Sequence, residues 1–195
     1  MMIGTFAMFV AGLASGAPDQ AVPAPAPAAQ PSIFDKAVNA PGIGWMPYGP
    51  NQSARQVAAA EVPGGNAVQI KVAKAGANVW DSGANYPTIK PIAAGDTMMV
   101  MIFLRAPNAT DAAPITIPVG VGGAAPPYTP ITSEPIKVGP TWKRYYVSGV
   151  ANEAYAPGKA NLFVQLAGAK QVIEVGPAFL IDLGPNFDRS KIPHN

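Results

Sequence analysis

The sequence has no cysteine and a single histidine, and only 12% of its 195 residues are charged. Without cysteine there is no disulfide, no thiolate zinc ligand, no thiol nucleophile and no lipidated N-terminal Cys. The one histidine, His194, is the penultimate residue. A catalytic triad or an imidazole metal site needs a buried, oriented ring, and a chain end is a poor place to hold one. Lys and Arg number 13 against 11 Asp and Glu, for a formal net charge of +2, and no basic run occurs anywhere. A nucleic-acid binder displaces counterions with clustered Lys and Arg, so nucleic acid is not an expected partner. These absences remove much of enzyme chemistry.

Glycine and proline, by contrast, are abundant, at 20 and 23 residues. Few charges and frequent chain breakers predict many short elements joined by turns, which is the composition of an all-β sandwich or barrel. Residues 3–14 form a short apolar run followed by Ala14-Ser15-Gly16, which has the shape of a secretory signal and its small-residue cleavage zone, though without a basic n-region. The run is too short to span a bilayer, so no membrane span is expected in the mature chain. Pro18, Pro23, Pro25, Pro27 and Pro31 then alternate mainly with alanine, a composition that favours extended polyproline II and forms no core. The expected organisation is a signal segment at 1–16, a Pro/Ala-rich linker at 17–31 and one β-domain at 32–190, in a secreted or periplasmic protein.

Period-2 alternation marks the strands. Val68-Gln-Ile-Lys-Val72 alternates cleanly, and Met98 to Ala106 is apolar on both faces. Further strands are expected at Ile115 to Val119, Trp142 to Val150, Ala160 to Leu166, Gln171 to Val175 and Ala178 to Leu183, with Pro118 suggesting an edge. Turn residues separate them at Pro63-Gly64-Gly65, Gly122-Gly123, Gly139-Pro140 and Pro157-Gly158.

Four blocks in series carry a family likeness, the first of them made of three runs. Asn78-Val-Trp80-Asp81-Ser-Gly83 is followed by Ile92-Ala-Ala-Gly95-Asp-Thr-Met98 and Phe103-Leu-Arg105-Ala106. Then come Thr141-Trp142-Lys143-Arg144-Tyr145, Leu162-Phe-Val-Gln165-Leu166-Ala-Gly168, and Val172-Ile-Glu174-Val175-Gly-Pro-Ala-Phe-Leu180. In this order they resemble carbohydrate-binding modules of the family 4/9 type, over about residues 32–184. The resemblance implies a jelly-roll β-sandwich of two antiparallel sheets in the galactose-binding-like superfamily, without catalysis, and a polysaccharide or oligosaccharide as partner. It calls for no cofactor beyond a structural calcium near the N-terminal strand, where Ile33-Phe34-Asp35 departs from the family's Phe-Glu opening.

A sugar site needs flat rings to stack on pyranose faces and planar polar groups to bond hydroxyls. With Val100, Ile102 and Leu104 in the core, Phe103 and Arg105 point the other way. Phe163 and Gln165 likewise oppose Leu162, Val164 and Leu166, and Glu174 opposes Ile173 and Val175. Arg105, Gln165 and Glu174 are therefore expected on one concave sheet face, with Trp80 and Tyr86 beside them and Tyr128 at the rim. Each has a second reading. Arg105 and Glu174 can be an ion pair locking neighbouring strands, Trp80 can be core, and Asp81 can bond its own loop. Trp142 is expected to anchor its strand, and Trp45 and Tyr48 are loop aromatics of either kind. Two other functions remain open on the same sandwich: a polysaccharide-active hydrolase or lyase using Glu174 with Asp81 or Glu134, and a structural or adhesive envelope protein.

Overall fold

The computed structural model describes residues 32–195, and the signal-like segment 1–16 and linker 17–31 lie outside the described residues. Ten strands occur among them: β1 (Met46–Tyr48), β2 (Gln52–Ala58), β3 (Asn66–Val72), β4 (Gly83–Pro87), β5 (Asp96–Arg105), β6 (Ile115–Gly123), β7 (Pro130–Val138), β8 (Lys143–Val150), β9 (Ala160–Gln165) and β10 (Gln171–Pro185). They form two antiparallel five-stranded sheets. Sheet I has the order β1-β4-β9-β6-β7 and sheet II the order β2-β3-β10-β5-β8. The chain passes back and forth between the sheets, which makes a jelly-roll β-sandwich.

The alternation read from the sequence sets the core. Leu162 and Val164 of β9, with Ile117, Val119 and Val121 of β6, face inward from sheet I. Val100, Ile102 and Leu104 of β5, with Ile70, Ile173 and Leu180, face inward from sheet II. Each such side chain, removed from water, contributes about 1.5–3 kcal/mol. The two runs expected as separate strands at 171–175 and 178–183 are one strand, β10, with a register shift between Val175 and Ala178. That bulge moves inward-facing positions from odd numbers (Ile173, Val175) to even ones (Ala178, Leu180).

Sheet II is covered on its outer side as well. At one end Ala59, Val62 and Ala67 pack with Val57, Phe103 and Trp142. At the other, Met99, Ile181 and Ile192 pack with Tyr146, Phe179, Leu183 and Phe187, and the Phe34 ring lies 4.8 Å from that of Phe179. These covers explain why β5 is apolar on both faces, and they give Trp142 the anchoring role expected of it.

Pro118 does not mark an edge, because β6 lies inside sheet I between β9 and β7. The paired stretch of β9 against β6 begins at Val119, so Pro118 stands one residue outside it, where its missing N–H leaves no ladder bond unmade. The edge strand beside β6 is β7, which carries Pro130 and Pro135. The edge of β8 is closed by the tail, where Asn195 bonds both the N–H and the C=O of Tyr146 at 2.7 Å and Arg189 donates to the Ser148 carbonyl.

Candidate functional site

The residues expected on one face are divided between the two sheets. Arg105 of β5 and Glu174 of β10 are register partners in sheet II, whereas Gln165 of β9 belongs to sheet I. Each points away from the core as expected, but from opposite sides of the sandwich, so no concave face holds all three.

Arg105 Nε donates to Glu174 Oε2 at 2.5 Å, Gln69 Nε2 donates to Glu174 Oε1 at 2.7 Å, and Arg55 donates from Nε and Nη2 to Gln69 Oε1. The pairings Arg55↔Gln69, Gln69↔Glu174 and Glu174↔Arg105 place this ladder straight across four strands. The Arg105 guanidinium also lies 5.2 Å from the centroid of the Trp142 ring. With Glu174 buried, these contacts are those of a cross-strand lock.

Tyr86 is not at a surface. It is 2% exposed, its hydroxyl donates to the Ala40 carbonyl at 2.7 Å, and its ring meets that of Trp45 edge-on at 5.4 Å. It alternates inward with Ala84 on β4, which places it in the core. Trp45 is buried too, with Nε1 donating to the Gly176 carbonyl.

Among the described residues, Trp80 and Tyr128 are the two large aromatics most open to solvent, at 57% and 63% exposure. Trp80 sits on the β3–β4 loop, which is braced from within. The Asp81 carboxylate accepts from the Asn78 N–H at 2.9 Å, and that bond first of all holds its pKa below the usual carboxylate value. Gly76 N–H to Ala167 C=O and Ala167 N–H to Val79 C=O tie the loop to the end of β9. Because its ring touches little of the core, Trp80→Ala is expected to change the unfolding free energy by no more than about 0.5 kcal/mol in a denaturant melt. A much larger loss would place the indole in the core. Tyr128, on the β6–β7 loop, has a φ of 55°, a left-handed conformation uncommon for a bulky residue.

The outer side of sheet I differs from that of sheet II. Across its strands run Met46, Asn85, Phe163, Gly120 and Ser133 in one register row, with Tyr48, Gly83 and Gln165 in a second and Pro87, Asn161 and Gly122 in a third. Glycines floor this surface. A Cβ on Gly120 would lie 2.7 Å from Phe163 Cζ, so the ring rests directly over the bare backbone, and one on Gly83 would lie 2.8 Å from the Tyr48 hydroxyl. Burial raises the Tyr48 pKa above its ordinary value, and the hydroxyl is a neutral donor and acceptor at neutral pH with or without that shift. The amides of Asn85, Asn161 and Gln165 are half-buried around the rings. From Asn161 to Gln165 the surface spans about 13 Å along β9. The loop bearing Trp80 adjoins its Gly83 end and the loop bearing Tyr128 its Gly122 end.

Of these, the alternation of β9 had singled out Phe163 and Gln165. Asn85, Asn161 and the glycine floor went unnoticed, because their placement depends on which strands lie beside β9. The acidic pairs weighed for hydrolysis do not assemble. Glu174 is on the outside of sheet II, Glu134 alternates inward with Ile136 on β7, and Asp81 bonds its own loop. Near the N-terminal segment, where the resemblance implies a calcium, each carboxylate has a backbone N–H donor close by. Asp35 accepts from Ser32 N–H, Asp96 from Ala93 and Asp182 from Gly184, and among the described residues no three acidic side chains converge. Asp182 is raised above the usual carboxylate range by burial first, and also by neighbouring Asp96.

No family model and no curated protein matches the chain. Solved structures do. One described as "CBM4 structure and function" is 16% identical with a TM-score of 0.54, over 71% of this chain and 94% of that one. The C-terminal family 22 carbohydrate-binding module of Clostridium thermocellum Xyn10B is 16% identical at 0.50, over 80% and 92%. The fold is that of CBM4 and CBM22 modules. An enzyme shares it: a Stig cyclase from Fischerella sp. TAU is 11% identical at 0.51, over 71% and 85%. What distinguishes one protein on the CBM4 and CBM22 fold from another is therefore the surface it presents. Among the described residues, the outside of sheet II is packed over at both ends, and that of sheet I carries no such cover.

Proposed function

We propose that this chain is an exported, non-catalytic carbohydrate-binding module that takes a polysaccharide or oligosaccharide on the open face of sheet I. The observation that carries the reading is the Phe163 ring laid over the Gly120 backbone and surrounded by half-buried amides. Pyranose rings present flat C–H faces edged by hydroxyls. An aromatic ring buries the former, and Asn or Gln side chains bond adjacent hydroxyls as both donor and acceptor. Trp80 and Tyr128, exposed at the two ends of the face, extend the stacking surface for a longer chain.

Several lines support this reading over a hydrolase. The polar groups in the register rows of this face are amides, the Tyr48 hydroxyl and a serine, whereas glycoside hydrolysis needs two carboxylates about 5–10 Å apart. The likeness to CBM4 and CBM22 modules, at nearly their full length, points the same way, as does the signal-like segment for export.

The test is binding of the purified chain to a panel of plant and bacterial oligosaccharides, repeated with Phe163→Ala. The parent is expected to bind at least one member. The variant is expected to lose about tenfold in affinity or more, the worth of one stacked ring, while keeping the parent's melting temperature within a few degrees. No binding by the parent, or full affinity in the variant, would remove sheet I as the site.

A further inference from the structure

We propose that the flank of the sandwich between edge strands β7 and β8 is a second binding site, for an acidic saccharide that carries carboxylates among its hydroxyls. The two strands belong to different sheets and close on each other at one end, where a Cβ on Gly149 would lie 2.6 Å from the Ile131 carbonyl oxygen. Beyond that pinch is a groove of about 760 Å³, walled by β7, β8 and the C-terminal tail.

The tail forms a fixed wall. Asp188 caps its turn by accepting from Ser190 N–H and Oγ, Ile192 is buried against Met99 and Ile181, and Asn195 clamps the Tyr146 backbone.

Three basic side chains line the groove: Lys137, Lys143 and Arg189. The single ion pair among the described residues is Arg105–Glu174, so no described carboxylate lies within 4.0 Å of any of the three. Arg189 spends Nε and Nη2 on Ser148, which holds the guanidinium in place and leaves Nη1 uncommitted. Glu134 is the one acidic side chain in the lining, set against those three charges. Like-signed charges held around one concavity raise the local concentration of anions. Ser190, His194 and the Tyr146 ring supply the hydroxyl, imidazole and apolar contacts that a sugar uses besides its carboxylate. The strand face of sheet I, by comparison, carries amides and rings with Lys137 only at its outer margin, so the two surfaces select ligands of different charge.

The experiment is a nuclear magnetic resonance titration of the full chain with oligogalacturonate and, separately, with a neutral oligosaccharide of the same length. Oligogalacturonate is expected to shift amides of β7, β8 and residues 188–195, with an affinity that falls as salt is raised. The double variant Lys137→Gln/Lys143→Gln, both exposed positions, is expected to fold like the parent and to bind oligogalacturonate roughly fivefold more weakly, as the loss of two partly exposed charges implies. Shifts confined to sheet I, no binding of oligogalacturonate, or unchanged affinity in the folded double variant would each overturn the proposal. Neutral-glycan binding on sheet I is read separately through Phe163→Ala, so failure of one site is distinguishable from failure of the other.

Discussion

Tyr86→Ala is expected to lower the unfolding free energy by about 3–5 kcal/mol, as large aromatic deletions in packed cores do. The ring is nearly wholly buried, and the structure around it is shaped to receive it. A Cβ on Gly44 would lie 2.7 Å from Tyr86 Cε2, so the backbone there sits close against the ring. Truncation leaves a cavity beside Trp45 and removes one of the two donors to the Ala40 carbonyl, the other being Asn39 Nδ2. Tyr86→Phe keeps the ring and loses the bond alone, so its cost is expected near 1 kcal/mol. Denaturant melts of the two variants separate packing from hydrogen bonding. A Tyr86→Ala protein that melts like the parent yet no longer binds glycan would put the ring on a ligand face instead.

Arg105→Ala is expected to cost about 3 kcal/mol, toward the low end for breaking a buried ion pair because the Arg105 side chain is 28% exposed. Glu174 is 4% exposed and would keep only the Gln69 amide. Most of the loss is thus the stranded carboxylate, not the absent arginine. Replacing both partners with apolar side chains of similar size, Arg105→Met with Glu174→Leu, is expected to regain most of it, since neither charge then remains buried. Glycan affinity should stay unchanged in both proteins, because the ladder lies on the opposite side of the sandwich from Phe163. Intact stability with lost binding in Arg105→Ala would restore the ligand role that the sequence pattern suggested.

Some strands were beyond the reach of pattern reading. β2 is a polar edge strand, Gln-Ser-Ala-Arg-Gln-Val-Ala, whose outer row serves the Arg55–Gln69 bond, so hydrophobic alternation is weak in it. β7 holds two prolines, and β1 and β4 are only three and five residues long. Such segments become strands because a neighbour offers a free ladder and not because their own composition demands it.

What the sequence determined by itself was local. An extended backbone alternates its side chains, so the runs at 98–105, 160–166 and 171–175 announced which residues turn inward, and the structure has Ile102, Leu104, Leu162, Val164 and Ile173 in the core. The abundance of Gly and Pro with so little charge likewise sufficed for the all-β class. Tertiary structure alone decided which outward faces coincide. Arg105, Gln165 and Glu174 each oppose a core face, but alternation carries no record of which sheet a strand joins. That is settled by pairings between residues far apart in the chain: Phe163 against Asn85 and Gly120 in sheet I, Glu174 against Gln69 and Arg105 in sheet II. Tyr86 turned inward for the same reason, since β4 had to set Ala84 and Tyr86 against the core for Asn85 to join Phe163 on the open side.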